Sequence, residues 1–207
     1  MQNDAEGKSH VVHFDLDVKS WERSPPSVQE ARPACCPVCG VPSICATGKV
    51  IVQGHGLRAR QRWGRADAEP ETRPAVGVLA QRRYRCTHCK AIVVVRPKGE
   101  LAHRRYTAAA IVLALWLWSC ELLHDDEVRM QTTPWVSRGV SRPERWTTLR
   151  RWAKAARAGA LWTSVRGDAS WSLRQCAERA ARVIERLADV AIGPQRHRVF
   201  AGVVHAR

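Results

Sequence analysis

Two stretches, Cys36-Pro-Val-Cys39-Gly40 and Cys86-Thr-His-Cys89-Lys90, decide how the rest of this 207-residue chain is read. Two residues between paired cysteines let both thiolates face one ion, and Gly40 permits the tight turn whose backbone N–H groups support the sulfurs. One such pair is weak evidence; two are strong. The 46 residues between Cys39 and Cys86 exceed the usual separation of about 15–20, so the spacing predicts an insertion. Arg65–Pro74, charged and proline-bounded, is its natural place. We therefore expect one zinc ion on Cys36, Cys39, Cys86 and Cys89. Four protein ligands close the coordination shell, which makes the metal structural and not catalytic. An iron–sulfur cluster uses the same kind of ligands, and Cys35, Cys45, His55 and His88 stand near enough in sequence to substitute. A thioredoxin-like redox pair needs a βαβ setting, and neither pair opens a long helix. Cys120 and Cys176 sit in helical patterns and read as buried small hydrophobes.

Around the cysteines the chain reads as short strands. Lys49–Gln53, Ala80–Cys86 and Ala91–Arg96 are the β-like runs, and the last is rich in β-branched residues. The expected class is α+β: a small zinc-ribbon β module followed by an all-helical, helix-turn-helix-like domain. Residues 1–34 form an extended or partly disordered lead-in, in which Val11–Trp21 alternates like a short strand before Ser24–Ser27 breaks it. Residues 35–98 make the ribbon with its inserted loop, a module with too little apolar mass to fold without a staple. Residues 99–192 make the helical domain, and residues 193–207 a loose basic tail. In the helical domain Thr107–Leu123 is strongly apolar with Thr107 as N-cap, and His124–Gln131 is a short helix. Ser141-Arg-Pro-Glu144 has capping-box form ahead of a helix over 142–158, stopped at Gly159. A last helix spans about Ser170–Ala191. The apolar run Ala108–Cys120 is shorter than the ~20 residues a bilayer span needs, and no secretory signal opens the chain. These features predict a cytoplasmic, nucleoid-associated protein without membrane contact.

Charge points to the partner. Lys plus Arg number 34 against 19 Asp plus Glu, a net of +15. Residues 1–35 hold four basic and six acidic side chains, so the whole surplus lies beyond them. A surplus of this size favours a polyanion. In the 142–158 helix, Trp146, Leu149, Ala153 and Ala156 form an apolar stripe. Arg145, Thr148, Arg151 and Lys154 fall on the opposite side, with Arg150 and Arg157 at its flanks. Arginine pairs with guanine, threonine touches thymine methyls, and both cations hold phosphate. Such a helix suits a helix-turn-helix reader of double-stranded DNA, although the same pattern describes any solvated basic face. Arg104 and Arg105, in His103-Arg-Arg-Tyr106, read as a phosphate-contacting joint with Tyr106 packed at the start of the next helix. Arg58, Arg60, Arg62, Arg65, Arg82, Arg83 and Arg85 extend the positive track.

The order CPVCG, GHGLRARQRW, RRYRCTHC, HRRYT, an apolar helix and RWTTLRRW over residues 35–160 resembles the N-terminal region of bacterial insertion-sequence transposases and the short zinc-ribbon proteins associated with such elements. The resemblance implies a zinc ribbon and a helix-turn-helix that binds mobile-element DNA. It carries Cys36, Cys39, Cys86 and Cys89 over as ligands and the 142–158 helix as the reader. Those transposases continue into an RNase H-like domain with three carboxylates. Here only 47 residues follow Ala160, with Asp168, Glu178, Glu185 and Asp189 as their acids. The expectation is a non-catalytic accessory or regulator with a separate transposase as partner.

Other classes compete. Zinc ribbons and arginine-rich segments also bind RNA, but the scarcity of Phe and Tyr on the β module disfavours stacking on single strands there. Glu121, Asp125, Asp126 and Glu127 beside His124 form an acidic cluster that suits an enzyme's divalent metal or, more simply, a charged helix terminus. Trp116, Trp118, Trp135, Trp146, Trp152, Trp162 and Trp171 exceed what one small domain usually hides, which suits an adaptor surface.

Overall fold

The valine run before Arg96 becomes an inner strand of a sheet. In the computed structural model, which describes residues 10–64, 73–101, 104–135, 146–189 and 193–206, the strands are β1 (His10–Asp17), β2 (Val52–Gly64), β3 (Ala75–Cys86) and β4 (Ile92–Lys98). Their order is β1-β4-β3-β2. β1 runs parallel to β4, with His10 opposite Val93, and β3 runs antiparallel to it, with Arg82 opposite Val95. The chain is α+β: this mixed sheet is joined by six α-helices among the described residues. Two units result, Met1–Arg60 with Val78–Ala102, and Gln61–Gly77 with His103–Arg207. The chain crosses between the units three times: within β2, within β3, and between Ala102 and His103, near the change of composition at residue 99.

In the first unit Val93, Val94 and Val95 are all buried, as expected of a strand covered on both faces, which needs no polar alternation. The segment read as a loose lead-in is built into this unit from residue 10 onward. Asp17 caps α1 (Val18–Arg23) by accepting from the Ser20 amide at 2.8 Å. α1 places Trp21 fully inside the core. The Trp21 indole donates to the Ala80 carbonyl at 2.8 Å and meets Phe14 edge to face at 5.9 Å. Beyond the Ser24–Ser27 break, Arg82 donates to the Pro26 carbonyl and Tyr84 to that of Val28, at 2.9 and 2.8 Å. Pairing of β1 with β4, some 80 residues away, is what a local reading of residues 1–34 could not see.

The second unit is organised around α2 (Ala108–Ser119), every residue of which is buried. A helix apolar on all sides must be covered on all sides. α3 (Asp125–Thr132), α4 (Thr147–Arg157), α5 (Leu173–Arg186) and α6 (Gln195–Gly202) all pack against it. Thr107 caps it through the Ala110 amide at 3.0 Å. It stops before Leu123 because Leu122 turns left-handed (φ 59°) and the Leu123 amide reaches back to the Leu117 carbonyl. The end of β2 closes on the same helix start. Trp63 exchanges backbone hydrogen bonds with Arg105 and Thr107, at 2.7 and 3.0 Å. Gly64 (φ +123°) lies so close that a Cβ there would sit 2.4 Å from that of Ala110. α5 opens with a capping box, Ser172 with Gln175.

Two helical expectations change. The 142–158 helix is described only from α4 onward; residues 136–145, including the Ser141 capping box and most of the expected turn, lie outside the described residues. α4 packs on α5 and α2 while α3 packs on α2, so the dominant helix pairings are not those of a simple helix-turn-helix. The basic tail is not loose. α6 buries Val199 and Phe200, and ion pairs Arg196–Glu121 and Arg198–Glu185 fasten it. No helix among the described residues is long and apolar enough to cross a membrane.

α6 docks only because residue 202 has no side chain: a Cβ at Gly202 would lie 1.9 Å from the Ile184 carbonyl oxygen on α5. Gly202→Ala should therefore destabilise the protein by about 1–3 kcal/mol and expose α6 amides to hydrogen exchange. An unchanged melting temperature and exchange pattern would contradict this docking.

Candidate metal centre and basic helix face

The two cysteine pairs fold as copies of one turn. In each, the amide one residue past the second cysteine donates back to the first cysteine's carbonyl: Gly40 to Cys36 and Lys90 to Cys86, both at 2.9 Å. In each, the first cysteine's amide donates five residues ahead, Cys36 to Val41 at 2.9 Å and Cys86 to Ala91 at 3.0 Å. Both turns need a left-handed residue, Gly40 at φ 71° and Lys90 at φ 64°. The glycine signals this in sequence; Lys90 does not, and its ammonium stabilises the turn through the Thr87 carbonyl at 2.7 Å. The second turn joins β3 to β4. It is fastened to the first through the 42–52 segment, where the Thr87 amide donates to Ile51 and the Ile51 amide to Ser43.

The four sulfurs of Cys36, Cys39, Cys86 and Cys89 all lie within 4.8 Å of one another. Cys36 is 3.6 Å from Cys89, and Cys39 is 3.8 Å from Cys86. A metal bonded to four sulfurs at about 2.3 Å spaces them about 3.8 Å apart in a tetrahedron, so these residues fit such an ion. Cys35, Cys45, His55 and His88 are not part of the cluster; Cys45 instead contacts the Thr47 hydroxyl at 2.9 Å. The thiols perturb each other strongly. Burial raises Cys36, but the amides of Cys39 and Val38 and the neighbouring thiols outweigh it and bring it down to about 7. The Val41 amide pulls Cys39 down, yet burial and the three other thiols push it up to about 12. Four thiols this close cannot all ionise unless a cation takes up the charge.

α4 sorts its basic residues into two classes. Leu149, Trp152, Ala153 and Ala156 are buried, as the apolar stripe predicted except that Trp152 joins it. Thr147, Arg151 and Lys154 are exposed, and Thr148 and Arg157 half-buried. Neither Arg151 nor Lys154 has an ion-pair partner among the described residues. Arg150, expected at the flank of the reading face, is turned inward. It pairs with Asp125, whose same oxygen accepts the Trp146 amide at 2.8 Å, and its guanidinium lies 5.4 Å over Trp118. Arg145 lies outside the described residues. Arg105 is exposed with its guanidinium 5.0 Å over Trp63, and Arg104 is half-buried. The wider positive track is broken: Arg60 pairs with Glu100 at 3.1 Å, Arg62 is buried, Arg82 is tied to the Pro26 carbonyl, and Arg65 lies outside the described residues.

The acidic cluster divides in the same way. Arg196 pairs with Glu121 and holds its carboxyl below the usual range, and the Trp116 indole donates to it at 2.9 Å. Asp125 serves Arg150 and Trp146, and Glu127 accepts from the His124 amide at 2.9 Å as a helix cap. Sequence reading missed the aromatic layer of Trp63, Tyr106, Trp135, Trp146 and Trp152, whose members come from separate segments. No protein-family model, curated protein or solved structure matches this chain.

Cobalt(II) added to metal-free protein should saturate at one equivalent with a tetrahedral thiolate spectrum, and more tightly as pH rises because the thiols must lose protons. Cys36→Ser should remove that spectrum and Cys45→Ser should leave it intact; equal effects of the two would reject this ligand set. Arg150→Ala should lower stability by roughly 1–3 kcal/mol, because it leaves the buried Asp125 carboxylate without its cation. An unchanged melting temperature would contradict the inward role of Arg150.

Proposed function

We propose that this protein is a zinc-dependent, non-catalytic binder of double-stranded DNA, in which Cys36, Cys39, Cys86 and Cys89 hold one structural zinc in a ribbon-like module and α4 presents the contact face. Zinc is favoured by four thiolates at tetrahedral spacing with no open position. The two turns, one of them closing the β3–β4 hairpin, favour a zinc ribbon.

The observation that carries the DNA reading is the outer face of α4. Residues 103–207 hold eighteen basic and nine acidic side chains. Much of the acid is spent inside the unit: Glu121 on Arg196, Asp125 on Arg150, Glu185 on Arg198. Arg151 and Lys154 remain exposed beside Thr147 on a helix whose opposite side is fully packed. A rigid helix with unpaired cations on its solvent face suits phosphate contact, with Arg151 able to reach a guanine edge. The resemblance to insertion-sequence transposase N-terminal regions makes mobile-element DNA the favoured target, with a separately encoded transposase as the partner.

Arg151→Ala combined with Lys154→Ala should weaken binding of a 24-base-pair duplex about tenfold or more near 0.1 M salt. It should also lower the slope of log K against log salt by about 2, one for each lost phosphate contact. Fluorescence anisotropy across a salt series checks this. An unaltered affinity and slope, with the melting temperature unchanged, would remove α4 as the contact face.

A further inference from the structure

The aromatic layer of the second unit runs from the core to the surface. Trp152 and Trp146, both buried, meet edge to face at 5.1 Å. Tyr106 contacts Trp152 at 4.8 Å and Trp63 at 5.4 Å, and Trp63 contacts Trp135 at 6.0 Å. The series ends in Trp135, which is 52% exposed. The Thr133 hydroxyl donates to the Trp135 carbonyl at 3.0 Å. A half-exposed tryptophan packed on one aromatic neighbour offers area for a flat ring.

The aromatic layer that ends in Trp135 also carries cations. Arg105 is exposed and lies 5.0 Å over Trp63, the ring that Trp135 touches. Arg129 is near enough to Tyr106 to pull its phenol down against the burial that pushes it up. No acidic side chain is paired with Arg105 or Arg129 among the described residues. An apolar protein partner would gain the tryptophan but leave these charges unmatched. A polynucleotide matches both, since a base stacks on the indole while its phosphates meet the guanidinium groups.

We propose that Trp135 and Arg105 form a stacking site for an unpaired nucleobase of DNA, so that the second unit prefers a duplex carrying a single-stranded extension. A base inside intact B-form duplex cannot offer its face to Trp135, and an unpaired base can. This proposal rests on the DNA-binding reading above, and it gives α4 and the platform separate tasks: α4 the paired stretch, Trp135 the unpaired one. Trp146, the N-cap of α4, belongs to the same aromatic layer.

The test uses the zinc-loaded full chain and three labelled probes at one salt concentration: a blunt 24-base-pair duplex, the same duplex with a ten-nucleotide thymidine extension, and the free thymidine strand. Anisotropy should show the extended duplex binding about tenfold tighter than the blunt one. Trp135→Ala should erase that advantage without changing blunt-duplex affinity or melting temperature, and Trp135→Phe should keep most of it. Equal affinity for the two duplexes, or an advantage that survives Trp135→Ala, would overturn the stacking site and leave the α4 reading standing. Binding of the free strand alone, lost in Trp135→Ala, would uphold the stacking site and overturn the α4 reading. No binding to any probe would overturn both.

Discussion

Four thiols drawn within 4.8 Å of one another set the terms for the first unit. Left to themselves they oppose one another: each thiolate formed makes the next harder to form, which is why Cys36 and Cys39 are driven in opposite directions. A divalent ion bound there would reverse that opposition and turn four mutually repelling groups into one cross-link. Such a cross-link would join segments some 50 residues apart in sequence, at the end of a sheet whose core is a modest set of valines around Trp21 and Tyr84. Four protein ligands on such an ion would close its coordination shell.

The second unit follows a different constraint. α2 has no polar face, so it folds only if neighbours cover it completely. The arginine–carboxylate pairs serve this end. Glu121, in the α2–α3 connection, Asp125 on α3 and Glu185 on α5 each draw an arginine from α6 or α4 and fasten those helices into place. This internal use of acid also shapes the surface. Arg151, Lys154 and Arg105 are left with no acidic partner among the described residues.

Much of the four-cysteine cluster was legible because such clusters write themselves into sequence as spacing. The turns around Cys36 and Cys86 need only local residues, and those residues are all present in each motif. α2 was legible for a similar reason, since an apolar run with a threonine cap has one sensible reading. What escaped was non-local. Nothing within residues 1–34 announces that β1 pairs with β4, or that Trp21 finds the Ala80 carbonyl. Arg150 looks like a surface cation by helical phase, and only Asp125, 25 positions earlier, turns it inward. α6 looks like a basic tail because Arg196, His197 and Arg198 stand together at its start; the role of Gly202 depends on an α5 carbonyl that no sequence window contains. The Trp135 platform was visible only as a surplus of tryptophan.

The measurement that bears most directly on this account is X-ray absorption at the zinc K-edge on the protein as purified, with metal content determined on the same sample. The account predicts one zinc per chain with four sulfur neighbours at about 2.3 Å and no nitrogen or oxygen in the inner shell. Iron in place of zinc, a mixed shell, or a metal-free protein that melts at the same temperature would contradict the structural zinc on which the first unit is argued to depend.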